Sequence, residues 1–298
     1  MKFISENQDY VIHQGDVLEK LKLIPDGSVD LIFADPPYNI GKDFDGLIEN
    51  WEEKDFLEWA YEWIDECYRV LSPKGTFYLM NSTENMPYLD IKCREKFSIQ
   101  SRIVWSYDSS GVQAKKYFGS LYEPILMLTK DKAKYTFNYK EIMVEAKTGA
   151  KRQLIDYRKN PPQPYNTKKV PGNVWDFSRV RFKMEEYENH PTQKPEALLE
   201  RIINASSNPD DVVLDPFSGS FSTCGVAKKL GRKAIGIEIN PEYVKIGIRR
   251  LGLPSHYTEE ELVKEKKRKT TNRSKKVREK ASPEPKNSPV EELQGSLI

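Results

Sequence analysis

Short apolar runs and helical apolar periods alternate along most of the chain. Runs bounded by turn residues predict buried strands, and apolar residues recurring at helical spacing predict amphipathic helices. The predicted strands are Tyr10–His13, Val29–Ala34, Thr76–Met80, Ser101–Tyr107, Glu123–Thr129, Val212–Leu214 and Lys233–Glu238. The predicted helices are Val17–Leu23, Asp55–Leu71 with a stop at Ser72–Gly75, one beginning at Pro195, Ser222–Leu230, and one opened by Asn240. This alternation predicts an α/β fold of βαβ units around a Rossmann-like, mostly parallel sheet.

The alternation fails between about Lys130 and Asn189, where aromatic and basic residues are interleaved. The aromatic ones are Tyr135, Tyr139, Tyr157, Tyr165, Trp175 and Tyr187, and the basic ones are Lys147, Lys151, Arg152, Arg158, Lys159, Lys168, Lys169, Arg179 and Arg181. Such a mixture suits contact with phosphates and base edges. A decorated structural insertion explains the same composition equally well, so both interpretations stay open.

Charge is concentrated beyond about Tyr257. An acidic triplet at 259–261 precedes a basic run at 264–269 and then a segment rich in Ser, Pro and Asn. This composition predicts a short helical start followed by disorder. The tail either adds non-specific affinity for DNA or only keeps the chain in solution.

Composition narrows the class of protein further. The chain has 298 residues and a formal net charge of +2, which by itself does not indicate nucleic-acid binding. Its 3 cysteines have no paired spacing, so neither a disulfide framework nor a zinc site is expected. No apolar run has the length of a membrane span, and the first residues lack the apolar segment of a signal peptide. We expect a cytoplasmic protein with no membrane partner.

The strand Val29–Ala34 leads directly into Asp35-Pro36-Pro37-Tyr38. Proline has a fixed φ and no N–H, so the strand must end there in a rigid corner. The corner offers a carboxylate, carbonyl acceptors and a ring face. That set suits a planar group that donates N–H bonds, such as the exocyclic amine of a base. A strand-ending turn accounts for the two prolines alone.

A second polar group follows the strand Val212–Leu214. Asp215-Pro216-Phe217-Ser218-Gly219-Ser220 forms a small-residue turn before a helix, and Glu238 ends the next strand, where it can accept bonds from two ribose hydroxyls. Dinucleotide sites use a G-x-G-x-x-G turn for a pyrophosphate, which Asp215 would repel. A carboxylate suits a cation, so the turn favours S-adenosylmethionine over NAD. Asp16, at another strand end, is a third candidate, for the cofactor's adenine amine.

Together these motifs resemble the DNA amino-methyltransferases, and among them the adenine-N6 enzymes of the beta arrangement. In that arrangement the catalytic motif comes first, a target-recognition region follows, and the cofactor motif comes last. The chain shows this order in Asp35–Tyr38, residues 130–189 and Asp215–Ser220, and the resemblance covers about residues 10–250. It is strongest with a solitary enterobacterial methylase, through Asn81–Pro87 and Ser109–Lys116.

The resemblance implies a seven-stranded methyltransferase sheet and four parts of the chain. These parts are residues 1–130, the catalytic half of the core; 131–189, a target-recognition insertion; 190–257, the cofactor half; and 258–298, a basic tail. The implied catalytic residues are Asp35, Pro36, Pro37 and Tyr38. The implied ligands of S-adenosyl-L-methionine are Asp16, Asp215, Phe217, Ser218, Gly219, Ser220 and Glu238, with His190, Thr192 and Lys194 beside its methionine end.

The implied reaction methylates N6 of an adenine flipped out of duplex DNA, within a palindrome such as ATGCAT. Delocalisation makes this amine a poor nucleophile. Asp35 and the Pro36 carbonyl would accept its two N–H bonds and turn its lone pair toward the methyl group, while Tyr38 stacks on the base. The methyl group already sits on a cationic leaving group, so no metal is expected. A homodimer suits a palindromic site, and the sequence does not indicate whether a cognate restriction enzyme exists.

Other functions stay open at this point, and one residue departs from the pattern. Cytosine-N4 and protein-glutamine methyltransferases also methylate a nitrogen whose lone pair is delocalised. The resemblance associates those enzymes with Ser-Pro-Pro-Tyr and Asn-Pro-Pro-Tyr corners. A non-catalytic DNA-binding protein on a nucleoside-binding fold is the alternative from another class. The departure is Phe221, which stands where the family's cofactor turn has a second glycine. It requires an unstrained φ or a slightly wider turn.

Overall fold

The structure, a computed structural model, describes residues 1–41, 43–44, 47–48, 50–108, 115–146 and 154–262. Its strands are β1 (Lys2–Ile4), β2 (Tyr10–Gln14), β3 (Val29–Ala34), β4 (Asp43–Phe44), β5 (Leu47–Ile48), β6 (Leu71–Met80), β7 (Ser98–Ser106), β8 (Tyr122–Thr129), β9 (Val144–Glu145), β10 (Ile155–Asp156), β11 (Gln163–Pro164), β12 (Lys168–Lys169), β13 (Val174–Asp176), β14 (Val212–Asp215) and β15 (Lys233–Glu238). Its helices are α1 (Val17–Leu21), α2 (Glu53–Val70), α3 (Met86–Cys93), α4 (Glu196–Ser206), α5 (Ser222–Lys229), α6 (Pro241–Leu251) and α7 (Glu259–Leu262), with a 3₁₀ turn at Tyr139–Ile142.

The central sheet confirms the predicted α/β architecture. Its strand order is β1-β2-β15-β14-β3-β6-β8-β7-β13. The strands from β2 to β6 in this order run parallel, and β8 is antiparallel to both of its neighbours. The seven predicted strands form the continuous middle, and the short strands β1 and β13 extend the two edges. The region between 131 and 189 therefore contributes β13 to the core sheet, in parallel with β7.

Helices cover both faces of the sheet, and each face has its own apolar cluster. On one face α4, α5 and α6 bury residues such as Leu198, Val226 and Val244. On the other, α1, α2 and α3 bury residues such as Trp63 and Leu89. Each such side chain contributes roughly 1.5–3 kcal/mol through its removal from water. This two-sided burial fixes the strands, and with them the positions of the polar residues at the strand ends.

The predicted end of the helix just before Ser72–Gly75 is confirmed, but these four residues lie within strand β6. α2 ends at Val70, and Leu71 already has the extended values φ −63° and ψ 134°. β6 pairs with β3 through Leu71 opposite Val29, and the register then shifts so that Thr76 lies opposite Leu31. Ser72–Gly75 therefore form a bulge within the strand. Pro73 is tolerated because a bulged residue has no ladder bond to donate.

Some expectations concern residues outside the described ranges. Between Gly41 and Asn50, where the sequence predicts a loop beside the Asp35 corner, the structure describes only the antiparallel pairing of β4 with β5. Ser109–Ala114, Lys147, Lys151 and Arg152 lie outside the described residues, as does the tail beyond Leu262. The predicted helical start of the tail is confirmed by α7, where Arg249 Nη1 donates to the Leu262 carbonyl at 3.1 Å. No described helix is long and apolar enough to cross a membrane.

Candidate active site

The acidic residues singled out in the sequence converge at one edge of the sheet. β15, β14 and β3 are parallel neighbours, so their carboxyl ends meet. Asp35 directly follows β3, Asp215 ends β14, and Glu238 ends β15. Asp16 follows β2, the next strand, and the Gly15 N–H donates to the Glu238 carbonyl at 3.0 Å. The two predicted motifs, distant in sequence, therefore lie at the same edge of the sheet, and the charge of Asp35 contributes to raising the pKa of Asp215.

Asp35 is held by two side chains in a nearly closed corner. Its Oδ1 accepts a hydrogen bond from Tyr38 Oη at 2.6 Å, and its Oδ2 accepts one from Lys194 Nζ. Burial raises the pKa of Asp35; Lys194 opposes this shift and the carboxylate of Glu123 adds to it. Burial, together with Asp35 and Glu123, also raises the pKa of Tyr38 well above its ordinary value. Tyr38 therefore keeps its proton and acts as a donor.

The backbone of the corner is fixed from the neighbouring strand β6. Asn85 Nδ2 donates to the Tyr38 carbonyl at 2.7 Å and to Asn81 Oδ1 at 3.1 Å. Asn81 follows β6 and is fully buried. On the other side, the Asn39 amide exchanges two 2.8 Å bonds with the backbone of Trp51. The stretch Asn81–Pro87, noted in the sequence only for its resemblance, thus supports the corner.

Lys194 and Glu123 complete the corner, and neither position was expected. Lys194 was predicted beside the cofactor, but the structure places its Nζ on Asp35, 3.8 Å from Glu123 Oε2 and 3.1 Å from the Thr192 carbonyl. Glu123, near the start of β8, accepts from Tyr38 Oη at 3.0 Å. The sequence signal for Glu123 was a single acid at the start of an otherwise apolar strand. That signal is common at strand ends and was not singled out.

The cofactor turn is closed by Glu238. Its Oε2 accepts from the Gly219 N–H at 2.8 Å, and its Oε1 accepts from the Asn240 N–H at 2.7 Å. Gly219 has φ 49°, and a Cβ there would lie 2.7 Å from His190 Nε2. Glycine is therefore required both by the backbone conformation and by the close approach of His190. Burial raises the pKa of Glu238 to about 7, against the effect of these backbone donors.

Asp215 is buried at the base of the same turn. Its Oδ1 accepts from the Phe217 N–H at 3.1 Å, and burial raises its pKa to about 7. Ser218 and Ser220 are buried beside it and bond within the turn, Ser218 Oγ to the Asp215 carbonyl at 2.9 Å. Phe217 packs edge-on against Trp63 at 5.0 Å. Among the residues that the structure describes, no ion pair joins Asp215 or Glu238 to a basic side chain.

Phe221 keeps a backbone conformation that glycine would adopt easily. Its φ is 56° and its ψ 29°, so the expected unstrained φ is wrong. Its ring is fully buried between β15 and α6. Cβ atoms on Gly236 and Gly247 would each lie 2.6 Å from ring atoms of Phe221, so both positions must be glycine for the ring to fit. Burial of the ring, about 1.5–3 kcal/mol, offsets the roughly 1–2 kcal/mol cost of the left-handed backbone.

The remaining predicted ligands lie around this turn. The His190 ring stands edge-on to Tyr243 at 4.6 Å and accepts a bond from the Thr192 N–H at its Nδ1, 3.4 Å away. Asp16 caps α1, because its Oδ1 accepts from the N–H groups of Leu18 and Glu19 at 2.9 and 3.3 Å. Its capping role was not foreseen, and it leaves the second carboxylate oxygen available for another donor.

Comparison with known proteins identifies the family. Residues 29–249 match a family model described as DNA methylase, of N6 and N4 type. The chain belongs to this DNA methylase family. It is 68% identical over 272 residues to the DNA adenine methyltransferase YhdJ of Escherichia coli K12, covering 91% of this chain and 92% of that protein. The type II methyltransferase M.HpaI of Haemophilus parainfluenzae is 40% identical over 240 residues, covering 80% and 72%.

Solved structures agree with this assignment. The structure of M1.HpyAVI in complex with SAM is 27% identical, with a TM-score of 0.58 and coverage of 81% of this chain and 98% of that one. The cytosine-N4-specific PvuII DNA methyltransferase is 20% identical, with a TM-score of 0.64 and coverage of 85% and 89%. At that identity the likeness supports the fold alone. The resemblance and the methyltransferase fold predicted from the motifs are confirmed.

The basic and aromatic region of this DNA methylase divides between core and surface. Trp175 and Tyr187 are buried, so these two residues fit the interpretation as a structural insertion. Tyr157 is 80% exposed, and Tyr139 and Tyr165 are partly so. The Arg179 guanidinium lies 4.9 Å from the ring centroid of Tyr107, whose Oη reaches Glu123 Oε1 at 3.3 Å. A basic side chain of this region therefore lies next to the Asp35 corner.

Proposed function

We propose that this DNA methylase transfers a methyl group from S-adenosyl-L-methionine to N6 of an adenine flipped out of duplex DNA. The observation that carries the proposal is the position of the Asp35 corner and of the turn closed by Glu238 at one edge of the sheet, where the parallel strands β3, β14 and β15 end. The corner offers acceptors for an amine, and the turn offers buried carboxylates for a cationic nucleoside. The identity of 68% to a protein named DNA adenine methyltransferase supports adenine as the target base.

The residues of the turn fit the proposed cofactor. Asp215 and Glu238 are buried carboxylates without an ion pair to a described basic side chain, and burial raises the pKa of each to about 7. A ligand that carries a positive charge and a ribose would relieve this burial cost. Glu238 would accept from the ribose, with Gly219 in close backbone approach and His190 and Thr192 at the other end. When bound, the cofactor supplies an electrophilic methyl group on a sulfonium leaving group.

The corner supplies orientation. Each Asp35 oxygen accepts one bond now and has a second lone pair, so an amine N–H can bind without displacing Lys194. The Pro36 carbonyl is the proposed acceptor of the other N–H, and the Tyr38 ring is the proposed stacking surface. The bound cofactor would supply the methyl group and would keep the electron pair of the sulfur–carbon bond, while the amine that accepts the methyl group would lose one proton to Asp35. Preorganised acceptors of this kind typically contribute about 2.7–4 kcal/mol each to the barrier.

The proposal also assigns the parts of the chain and the partners. Residues 1–130 and 190–257 form the two halves of the core, 131–189 read the target, and 258–298 form a basic tail. Exposed Tyr157 and the pair Lys168 and Lys169, exposed on β12, support contact of the middle region with DNA. We further propose a palindromic target such as ATGCAT, a homodimer on it, and a cytoplasmic location on the nucleoid. Association with a cognate restriction enzyme is a separate question for genome context.

Nucleoside analysis tests the proposal. Purified protein would be incubated with unmethylated duplex DNA and isotopically labelled S-adenosylmethionine, and the DNA hydrolysed for mass spectrometry. We expect label in N6-methyladenine, and sequencing of the product should place it within a palindrome. Label in N4-methylcytosine, or in no nucleoside, would contradict the proposal; the Asp35 corner in place of Ser-Pro-Pro-Tyr argues against the cytosine outcome.

A further inference from the structure

Two charged residues of the corner have no assigned part in the reaction. Lys194 precedes α4 and Glu123 lies near the start of β8, and both reach the Asp35 carboxylate from elements other than β3. Lys194 is 8% exposed, and the Glu123 side chain is 16% exposed. Buried charges are rare unless paired, so their arrangement requires an explanation.

Lys194, Asp35, Glu123 and Tyr38 form one connected network. Lys194 Nζ bonds Asp35 Oδ2 and lies 3.8 Å from Glu123 Oε2. Tyr38 Oη lies 2.6 Å from Asp35 Oδ1 and 3.0 Å from Glu123 Oε2. A hydroxyl has a single proton to donate, so the two carboxylates share it. Lys194 and the Tyr38 hydroxyl thus interact with both acids, and the balance between these interactions sets the charge on Asp35.

That charge decides whether Asp35 can bind an amine. A carboxylate accepts an N–H at either oxygen, whereas a protonated carboxyl presents a donor that opposes the amine hydrogens. Burial favours the protonated form, and a second carboxylate nearby favours it further. Lys194 acts in the other direction and stays charged, because the attraction of Asp35 and Glu123 outweighs the effect of burial and raises its pKa.

We propose that Lys194 and Glu123 are positioning residues for methyl transfer. Lys194 keeps Asp35 in the anionic form that accepts the amine hydrogen. Glu123 competes with Asp35 for the Tyr38 hydroxyl and for the charge of Lys194. The inference rests on the proposed function and deepens it. It moves Lys194 from the cofactor, where the sequence pattern put it, to the base. Glu123 then opposes Lys194, which leaves Asp35 basic enough to accept the departing proton.

Other charged groups near the network are accounted for. Arg179 acts on Lys194 from a distance through its charge, and Tyr107 Oη bonds Glu123 Oε1 at 3.3 Å. The charge of Asp35 contributes to raising the pKa of Asp215, which lies at the end of β14. A bound cationic cofactor would compensate the negative charge of Asp215. Measurements with saturating cofactor therefore isolate the Asp35 network from the titration of Asp215 and Glu238.

The test is the pH dependence of single-turnover methyl transfer with saturating cofactor and DNA. Lys194→Met should move the midpoint of the acidic limb upward by about 1–3 pH units, the usual effect of losing an opposite charge. Glu123→Gln should move it downward, because a like charge is removed. Lys194→Arg should restore a midpoint near that of the unchanged protein. The affinity for S-adenosylmethionine, measured by calorimetry, should stay within about threefold for all three variants.

Controls separate this inference from the function on which it rests. The surface pair Lys229 and Glu200, 2.8 Å apart, supplies matched variants, Lys229→Met and Glu200→Gln, which should leave the profile unchanged. Melting temperatures show that each variant is folded. Acidic limbs that coincide with the unchanged protein, or a tenfold weaker cofactor affinity in Lys194→Met, would overturn the inference while N6-methyladenine still forms. Absence of N6-methyladenine from the unchanged protein would overturn the proposed function, and this inference with it.

Discussion

The two acidic sites at the sheet edge are built on opposite principles. Asp35 contacts a lysine brought from a distant segment, so its charge is compensated within the protein. Asp215 and Glu238 are held by backbone N–H groups, without an ion pair to a described basic side chain, and their pKa values rise to about 7. The charge of Asp35 is therefore balanced before substrate binds, whereas the charges of Asp215 and Glu238 would be balanced only when a cationic ligand binds. This difference supports the proposal that Asp35 meets the base and that the other two acids meet the cofactor.

Phe221 anchors the end of the predicted cofactor turn in the core, and substitutions there test how much this burial contributes. Phe221→Ala should lower the free energy of unfolding by about 3–5 kcal/mol, since a fully buried ring is lost while the left-handed backbone stays strained. Phe221→Gly should lower it by roughly 1–2 kcal/mol less, because glycine adopts φ 56° without that strain. Urea unfolding measures both values. Equal losses in the two variants would show that the turn carries no backbone strain.

If Glu238 meets the cofactor and not the base, its substitution should change the affinity for S-adenosylmethionine selectively. Glu238→Gln replaces an acceptor of the Gly219 and Asn240 N–H groups with an amide, so we expect the affinity for S-adenosylmethionine to fall by about 10–100-fold. Calorimetry measures it, and exposed Glu58→Gln on α2 serves as the control. Unchanged cofactor affinity with a slower transfer step would move Glu238 to the base side and break the comparison.

The pH dependence of cofactor binding gives a smaller effect. Asp215 and Glu238 have pKa values of about 7, above their ordinary values of 3.8 and 4.5, so both hold protons as the pH falls below 7. The stability that these protonated acids give the ligand-free fold is lost as the pH rises through 7. A cationic cofactor binds the anions, so its affinity should fall by up to about tenfold per pH unit for each proton bound, between pH 7 and 5. A flat profile over that interval would mean that neither acid meets the cofactor's charge.

We expect the smallest effect from deletion of the basic tail. Deleting residues after Leu262 removes a basic run, so DNA affinity should fall by less than about tenfold at physiological salt while the methylated sequence stays the same. Fluorescence anisotropy over a salt series measures this, and the slope should become slightly shallower. A change of target sequence on deletion would assign base readout to the tail and not to residues 131–189.

The sequence predicted this site unevenly, for physical reasons. Parallel strands end at the same edge of a sheet, so the strand pattern together with the family resemblance could group Asp35, Asp215 and Glu238. Glu123 and Lys194 could not, because their meeting depends on the antiparallel placement of β8 beside β6 and on the path of the chain before α4. The conformation of Phe221 depends on space left by Gly236 and Gly247, which no local pattern reveals. Long-range packing is what periodicity leaves undetermined.

Asp35→Ala gives the most direct test of the account. Cofactor affinity and single-turnover transfer to duplex DNA would be measured on the same preparation, with exposed Asp26→Ala as the control. The account predicts cofactor binding within about threefold of the unchanged protein and a loss of N6-methyladenine formation of about 100–1,000-fold, as for removal of a preorganised transition-state partner. Undiminished transfer by Asp35→Ala would contradict the central claim that this carboxylate orients the adenine amine.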